Sequence, residues 1–253
     1  MIDHIGIASM FDLAGKVALV TGGAVGLGKA SGLALAAAGA TVVLADDEAR
    51  TARLTDVSQT VSARALDVTD PVAIKALVSG VIAERGGIDI LVNGAVEYHN
   101  RPLLEVTVEE WDHVQAVNLR SAFLVTQAVI PSMQARGGGR IINLTTIGSV
   151  HPVLNGNGAY SAARAGLNQF TRNCALDFAR DNITTNAVLP GAILTEAISP
   201  DFKRTGPGTD PARHLGGSGK PEDVAGLVLL LAGPAGRYIN GQLIAVDGGF
   251  LVS

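Results

Sequence analysis

Lys16-Val17-Ala18-Leu19-Val20-Thr21-Gly22-Gly23-Ala24-Val25-Gly26-Leu27-Gly28 is the stretch that decides how the rest of the chain is read. Its first half is a short, β-branched apolar run, too brief for a helix, and it predicts a strand buried on both faces. Its second half carries Gly22, Gly26 and Gly28 into a helical pattern with Leu27, Ala30, Leu33, Ala34, Ala37 and Ala38 on one face, stopped at Gly39. A strand, a glycine-rich turn and a helix start make an anion site, because backbone N–H groups point out of the helix N-terminus. Glycines suit that turn because a Cβ would hold a diphosphate away from the backbone. The spacing G-x-x-x-G-x-G differs from the commoner G-x-G-x-x-G, so the loop alone is a moderate signal.

Further strands are expected at 41–45, 61–66, 88–93, 140–145, 183–189 and 242–246, with helical patterns between most of them. Seven strands alternating with helices predict an α/β fold: one doubly wound, Rossmann-type domain whose parallel sheet carries helices on both faces. Residues 11–253 form that domain. Met1–Met10 reads as a flexible extension without the basic and apolar regions of a signal peptide. Residues 192–219, broken by Pro200, Pro207 and Pro211, read as a substrate loop. Residues 105–135 read as mostly one long helix with Asn118 set among apolar neighbours; such an asparagine needs a specific buried partner.

Composition narrows the function. The 253 residues are 47% hydrophobic and 17% charged, with a net charge of −4 and a single cysteine, Cys174. No basic run exists, which argues against nucleic acid or an anionic membrane as partner. No apolar run approaches the roughly 18 residues that cross a bilayer. One cysteine forms no intramolecular disulfide and suits a reducing, cytoplasmic setting. No Cys/His/carboxylate cluster has metal-site spacing.

In an open parallel sheet, ligands bind beyond the carboxyl ends of the strands. Gly22, Asp46, Asp67, Asn93, Thr146 and Pro190 all follow expected strand ends and so converge on one rim. Asp46, at the end of the second strand, is placed to accept hydrogen bonds from a ribose diol. With Asp47 beside it and no Lys or Arg directly adjacent, NAD is favoured over NADP. Tyr160 and Arg164 lie four residues apart on one helix face, and a fixed positive charge favours the ionised form of a neighbouring phenol. That pair is a candidate proton-transfer centre.

The marks Thr21-Gly22-x-x-x-Gly26-x-Gly28, Asp67-Val68, Val117-Asn118-Leu119, Tyr160 followed at i+4 by a cation, Pro190-Gly191 with Thr195, and Val246-Asp247-Gly248-Gly249 occur in this order from Lys16 to Gly249. As a set the chain resembles the short-chain dehydrogenase/reductase family. The resemblance implies an NAD-dependent oxidoreductase that moves a hydride between nicotinamide and a secondary alcohol or ketone. Tyr160 would be the general acid/base, Thr146 the hydroxyl on the reacting oxygen, Arg164 the cation that bonds the ribose, and Asn118 the anchor of a relay water. Gly22, Gly26, Leu27, Gly28, Asp46, Asp67, Val68, Asn93, Gly94, Ala95, Pro190, Gly191, Ile193 and Thr195 would hold the cofactor. The resemblance also implies a homotetramer, and apolar residues over much of the circumference of the helices at 105–135 and 158–180 agree with an oligomer.

Three positions depart from the family pattern: Arg164 replaces a lysine, Thr146 a serine and Val96 a glycine. Arginine keeps the charge but is longer, forked and unable to release a proton. Two readings follow: an active dehydrogenase, or a dinucleotide-binding relative with weak or no catalysis. Tyr98, His99, His151, Leu154, Asn155 and the loop from Ala192 to Gly217 are candidate walls for a small, neutral or weakly polar substrate.

Overall fold

The computed structural model describes residues 6–55, 57–196 and 205–253. Seven parallel strands form one sheet in the order β3-β2-β1-β4-β5-β6-β7. They are β1 (Val17–Thr21), β2 (Thr41–Asp46), β3 (Val61–Ala65), β4 (Ile90–Asn93), β5 (Gly139–Leu144), β6 (Ile183–Pro190) and β7 (Leu243–Val246). The helices are α1 (Ile7–Met10), α2 (Gly26–Ala37), α3 (Glu48–Thr51), α4 (Pro71–Arg85), α5 (Val108–Gln115), α6 (Ser121–Ala135), α7 (Gly158–Asp177) and α8 (Pro221–Ala232).

Strand β1 sits mid-sheet and all five of its residues are buried, as its unbroken apolar run requires. Successive side chains point to opposite faces. Ala18 and Val20 therefore pack with Leu35 of α2 and Val224, Val228 and Leu231 of α8. Val17 and Leu19 pack on the other face with Ile74, Val78 and Val81 of α4 and Val125, Val129 and Met133 of α6. Burying each such Val, Leu or Ile stabilises by roughly 1.5–3 kcal/mol, so this alternation fixes which helices lie on which side.

Strand β1 pairs with both β2 and β4. The chain leaves β1 in one direction and returns to its other side at β4, so the crossovers above these two strand ends diverge and leave a crevice. Helix ends follow local chemistry. The Asp70 carboxylate caps α4 at the Val72 amide, Pro71 fills the first position, and Gly86 in the left-handed region ends the helix. Thr107 and Glu110 form a reciprocal capping box on α5.

One expectation needs correction. Residues 105–135 are not one helix. Ala116–Arg120 form a π-helical turn between α5 and α6, preceded by a single 3₁₀ turn at Leu103–Glu105. An apolar pattern at 3–4 residue spacing continues across the wider turn and hides it. Within the extension expected to be flexible, Ile7–Met10 make one helical turn with no buried residue; residues 1–5 lie outside the described residues. Among the described residues no helix is long and apolar enough to cross a membrane.

Candidate active site

The glycine loop follows β1 and leads into α2. A Cβ on Gly28 would lie 2.1 Å from the Gly22 carbonyl oxygen, and one on Gly22 would lie 2.5 Å from the Gly94 oxygen. At these two glycines the loop thus presses backbone against backbone. The N-cap residue of α2, Val25, offers no side-chain acceptor. The first amide of the helix, Gly26 N–H, instead donates to Glu196 Oε1 at 3.0 Å. A carboxylate oxygen there stands in for an oxygen of a ligand phosphate.

Beside the loop a cleft of about 540 Å³ is lined by Gly22, Asp46, Asp67, Val68, Ala95 and Val96, among others. Asp46 is buried. Its Oδ2 accepts from Ala24 N at 3.0 Å, and its Oδ1 accepts from Asp47 N at 2.9 Å and from Arg50 Nη1 at 3.3 Å. The Arg50 Nε lies 3.1 Å from Asp47 Oδ2. The expectation that no cation stands near Asp46 is therefore wrong. Arg50 is four residues on, and the short helix α3 returns it to both carboxylates. Asp67 Oδ1 accepts from the Thr69 hydroxyl at 2.7 Å and the Thr69 amide at 2.8 Å. These bonds, the hydroxyl first, hold the Asp67 carboxyl below its ordinary range.

The other half of the rim carries Tyr160 and Arg164 on α7, both buried. A smaller cleft of about 100 Å³ is lined by Tyr160, Thr146, Tyr98, Leu154, Pro190, Ile193, Thr195 and His214 among others, with no Lys or Arg among the described residues of its wall. Among the described residues the Tyr160 hydroxyl makes no hydrogen bond, so it is free to meet a substrate oxygen. The Thr146 Oγ1 accepts from Gly148 N at 3.1 Å, which leaves its own proton to donate. Below it, Asn168 Nδ2 donates to Ser149 Oγ at 2.7 Å, and Ser149 Oγ donates to the Thr146 carbonyl. That chain of bonds steadies the segment bearing Thr146.

The Arg164 guanidinium is fastened to the main chain. Its Nη2 donates to Ala95 O at 2.9 Å, and its Nη1 donates to Leu144 O at 3.2 Å and Asn118 O at 3.4 Å. Its carbon lies 5.5 Å from the centre of the Tyr160 ring, within reach of a cation–π attraction. The Asn118 side chain finds the buried partner expected of it. Its Nδ2 donates to Glu97 O and Val114 O, both at 2.9 Å, and its Oδ1 accepts from Glu97 N at 3.2 Å. Val96 packs with Val114, Ala159 and Tyr160. Its φ is not among the positive ones, so the side chain that replaces glycine sits without backbone strain.

Most of the expected site residues come together. Gly22, Gly26, Leu27, Gly28, Gly94, Tyr160, Arg164 and Thr195 line a third cleft that joins the other two. Pro190, Gly191 and Ile193 wall the small one. Asn93 does not join them. Its Nδ2 donates to Asn143 Oδ1 at 2.8 Å and Thr126 Oγ1 at 3.2 Å. Strand period two puts it on the same face as Leu91, toward α6 and away from the clefts. Of the suggested substrate walls, Tyr98 and Leu154 line the small cleft, while His99, His151 and Asn155 do not. Sequence reasoning missed Arg50, and it covered His214 and Glu196 only as part of the loop from Ala192 to Gly217 expected to wall the pocket. Glu196 follows Thr195 directly, and an acid one residue beyond a cofactor position was the only signal available.

The residues fit a dinucleotide: a glycine cradle, a carboxylate already seated on the helix amide, and acidic groups at the end of β2. Comparisons with known proteins agree. A family model described as enoyl-(acyl carrier protein) reductase matches residues 22–251. The 3-oxoacyl-(acyl-carrier-protein) reductase FabG of Thermotoga maritima is 37% identical over 248 residues, covering 95% of this chain and 99% of that protein. The 7alpha-hydroxysteroid dehydrogenase of Escherichia coli K12 is 33% identical over 246 residues, covering 94% of each. The crystal structure of a blue fluorescent protein from a metagenomic library, in complex with NADPH, has a TM-score of 0.85 at 36% identity, covering 94% of this chain and 99% of that one.

Proposed function

The chain belongs to the short-chain dehydrogenase/reductase family, and from that premise we propose that it oxidises a small secondary alcohol, or reduces the matching ketone, with NAD as cofactor. The observation that carries this reading is the buried Tyr160, lining the small cleft beside Thr146 with a hydroxyl that is uncommitted among the described residues. The nicotinamide, when bound, supplies or takes up the hydride. Tyr160 Oη then exchanges a proton with the substrate oxygen, and the Thr146 hydroxyl donates to that same oxygen. Arg164 keeps a positive charge beneath the Tyr160 ring. Asn118 fixes the Val96–Tyr98 segment that closes the site from one side. Ile193 and Thr195 hold the carboxamide end, and Gly22, Gly26, Leu27 and Gly28 hold the diphosphate.

NAD is preferred because two carboxylates, Asp46 and Asp47, face one guanidinium, Arg50. The local balance is one negative charge, which repels a 2′-phosphate. The NADPH-bound relative makes a direct comparison of NADH and NADPH affinity the first measurement. The cleft's small size, and the lack of Lys or Arg among the described residues of its wall, favour a neutral substrate. Trp111, Phe123 and Leu176 leave large apolar surface exposed on α5, α6 and α7, which supports a homotetramer; light scattering on the purified protein tests it. The lone Cys174, buried with its thiol pushed up to about 11 by burial, suits a reducing cytoplasm.

The test is Tyr160→Phe. Turnover on a panel of small secondary alcohols and ketones is expected to fall by about 10²–10⁴-fold, with NADH binding retained. A wild-type protein that binds NADH and turns over nothing in the panel favours the second reading, a dinucleotide-binding relative without catalysis. The commitment of Arg164 to three main-chain carbonyls is the observation on that side.

A further inference from the structure

We propose that Glu196 is an internal anion that occupies the diphosphate site of the glycine loop and must leave it when a dinucleotide enters, so that cofactor entry moves the segment after β6. The proposal rests on the reading of the glycine loop as the dinucleotide site.

Three observations carry it. The first is the contact itself: Glu196 Oε1 receives the Gly26 amide at 3.0 Å across a separation of 170 residues. The first amides of a helix have no partner inside it, and the helix dipole favours an anion there. Helices α4 and α5 satisfy that need with side chains from their own N-caps, whereas the N-cap of α2, Val25, has none to give. The second is the placement of Thr195, whose Cβ would lie 3.5 Å from a Cβ on Gly26. Thr195 and Glu196 thus lie directly over the mouth of the loop. The third is how the segment is tied down. Leu194 N donates to Gly219 O at 3.0 Å, and Gly219 N donates to Ala192 O at 2.9 Å. That bridge holds residues 192–194, and beyond it the Gly26 contact is the hydrogen bond that draws Glu196 inward.

Two anions do not share one amide donor at close range. The Gly26 amide, then the main-chain amide of Glu196 itself, holds the Glu196 carboxyl below its ordinary range, with Lys29 adding to the effect. The carboxylate is therefore charged wherever the protein is handled near neutrality. A diphosphate entering the loop displaces it, and the measured affinity is lowered by the loss of that contact. The segment it carries also walls the small cleft through Ile193 and Thr195. Substrate-side geometry thus depends on whether the cofactor is in place.

The experiment titrates NADH, ADP and adenosine against the wild type, Glu196→Gln and Glu196→Ala, with binding as the readout. Glu196 is exposed, so both variants should fold, and thermal melting confirms it. Expected is a 2–5-fold tightening of NADH and ADP in Glu196→Ala, the size of one helix-terminus charge interaction. Glu196→Gln should tighten them less, since it keeps an acceptor oxygen. Adenosine, which has no phosphate, should be unchanged in both. Unchanged or weaker NADH and ADP binding in Glu196→Ala overturns the proposal, and so does an equal gain for adenosine. Failure of the wild type and both variants to bind NADH or ADP at all overturns the dinucleotide reading and the proposal with it.

Discussion

The two rims of the sheet are both polar, and they treat their polar groups in opposite ways. At the amino end, Asp89 just ahead of β4 is saturated. Its Oδ1 accepts from Arg136 Nε at 2.9 Å and Lys16 Nζ at 3.5 Å, and its Oδ2 accepts from Arg136 Nη2 and Val17 N, each at 2.9 Å. One carboxylate thereby joins the starts of β1 and β4 to the end of α6. At the carboxyl end, the Tyr160 hydroxyl is uncommitted among the described residues, the buried Arg164 Nε has no partner, and α2 takes its cap from a distant loop. A buried polar group left without a partner is costly. On the carboxyl rim the proposed ligand would complete such groups, whereas the Asp89 cluster is completed by the protein's own donors.

The contrast predicts that the two rims fail differently. Tyr160→Phe has the largest effect, the loss of turnover given above, and should leave the melting temperature almost unchanged. Asp89→Asn should do the reverse. It breaks a buried ion pair for about 3 kcal/mol, which lowers Tm by on the order of 6–12 °C, while NADH affinity at moderate temperature stays the same. A large change in NADH affinity in that variant would erase the distinction between the rims.

Arg164→Lys is the sharper case, because Arg164 belongs to both categories. Restoring the family's lysine should lower turnover by about tenfold rather than raise it, since at least one charge-assisted bond to Ala95, Leu144 or Asn118 is lost. Tm should fall as well. A gain in rate would show that arginine handicaps the site instead of organising it. The smallest effect belongs to Thr69→Val. In the native protein the Thr69 hydroxyl depresses the Asp67 carboxyl. A folded pKa below the unfolded one stabilises fully above the unfolded value, and that contribution is lost as pH falls through the folded value. The variant's Asp67 should titrate closer to the ordinary carboxylate range by NMR. Its small stability deficit at neutral pH should vanish in acid.

Much of this was legible in the residues. Val17–Thr21 reads as a buried strand because every residue suits burial on both faces, and the glycine spacing reads as a cradle, in which Gly22 and Gly28 leave no room for Cβ and Gly26 has a φ of +54°. Tyr160 and Arg164 at i and i+4 put phenol and cation together without any tertiary information. What stayed hidden depended on contacts between distant segments. Asn93 follows a strand end, like true cofactor positions, but strand alternation turns it toward Thr126. Arg50 comes back to Asp46 only because α3 is a single turn. Glu196 lies in a stretch without periodicity, and nothing local in its sequence indicates that it reaches Gly26.

The π turn at Ala116–Arg120 has a consequence for the way this chain tolerates changes in length. A π turn holds one residue more than the α turn it replaces. Removing one residue between 116 and 120 would let the turn close into regular α geometry, with its hydrogen bonds intact and α5 and α6 still in phase, because the extra residue is absorbed within the turn. The change would fall on the bulge itself, which carries both the Asn118 side chain that meets Glu97 and the carbonyl held by Arg164. The deletion would be nearly silent to circular dichroism and to the packing of the flanking helices, and its effect would concentrate on the candidate site.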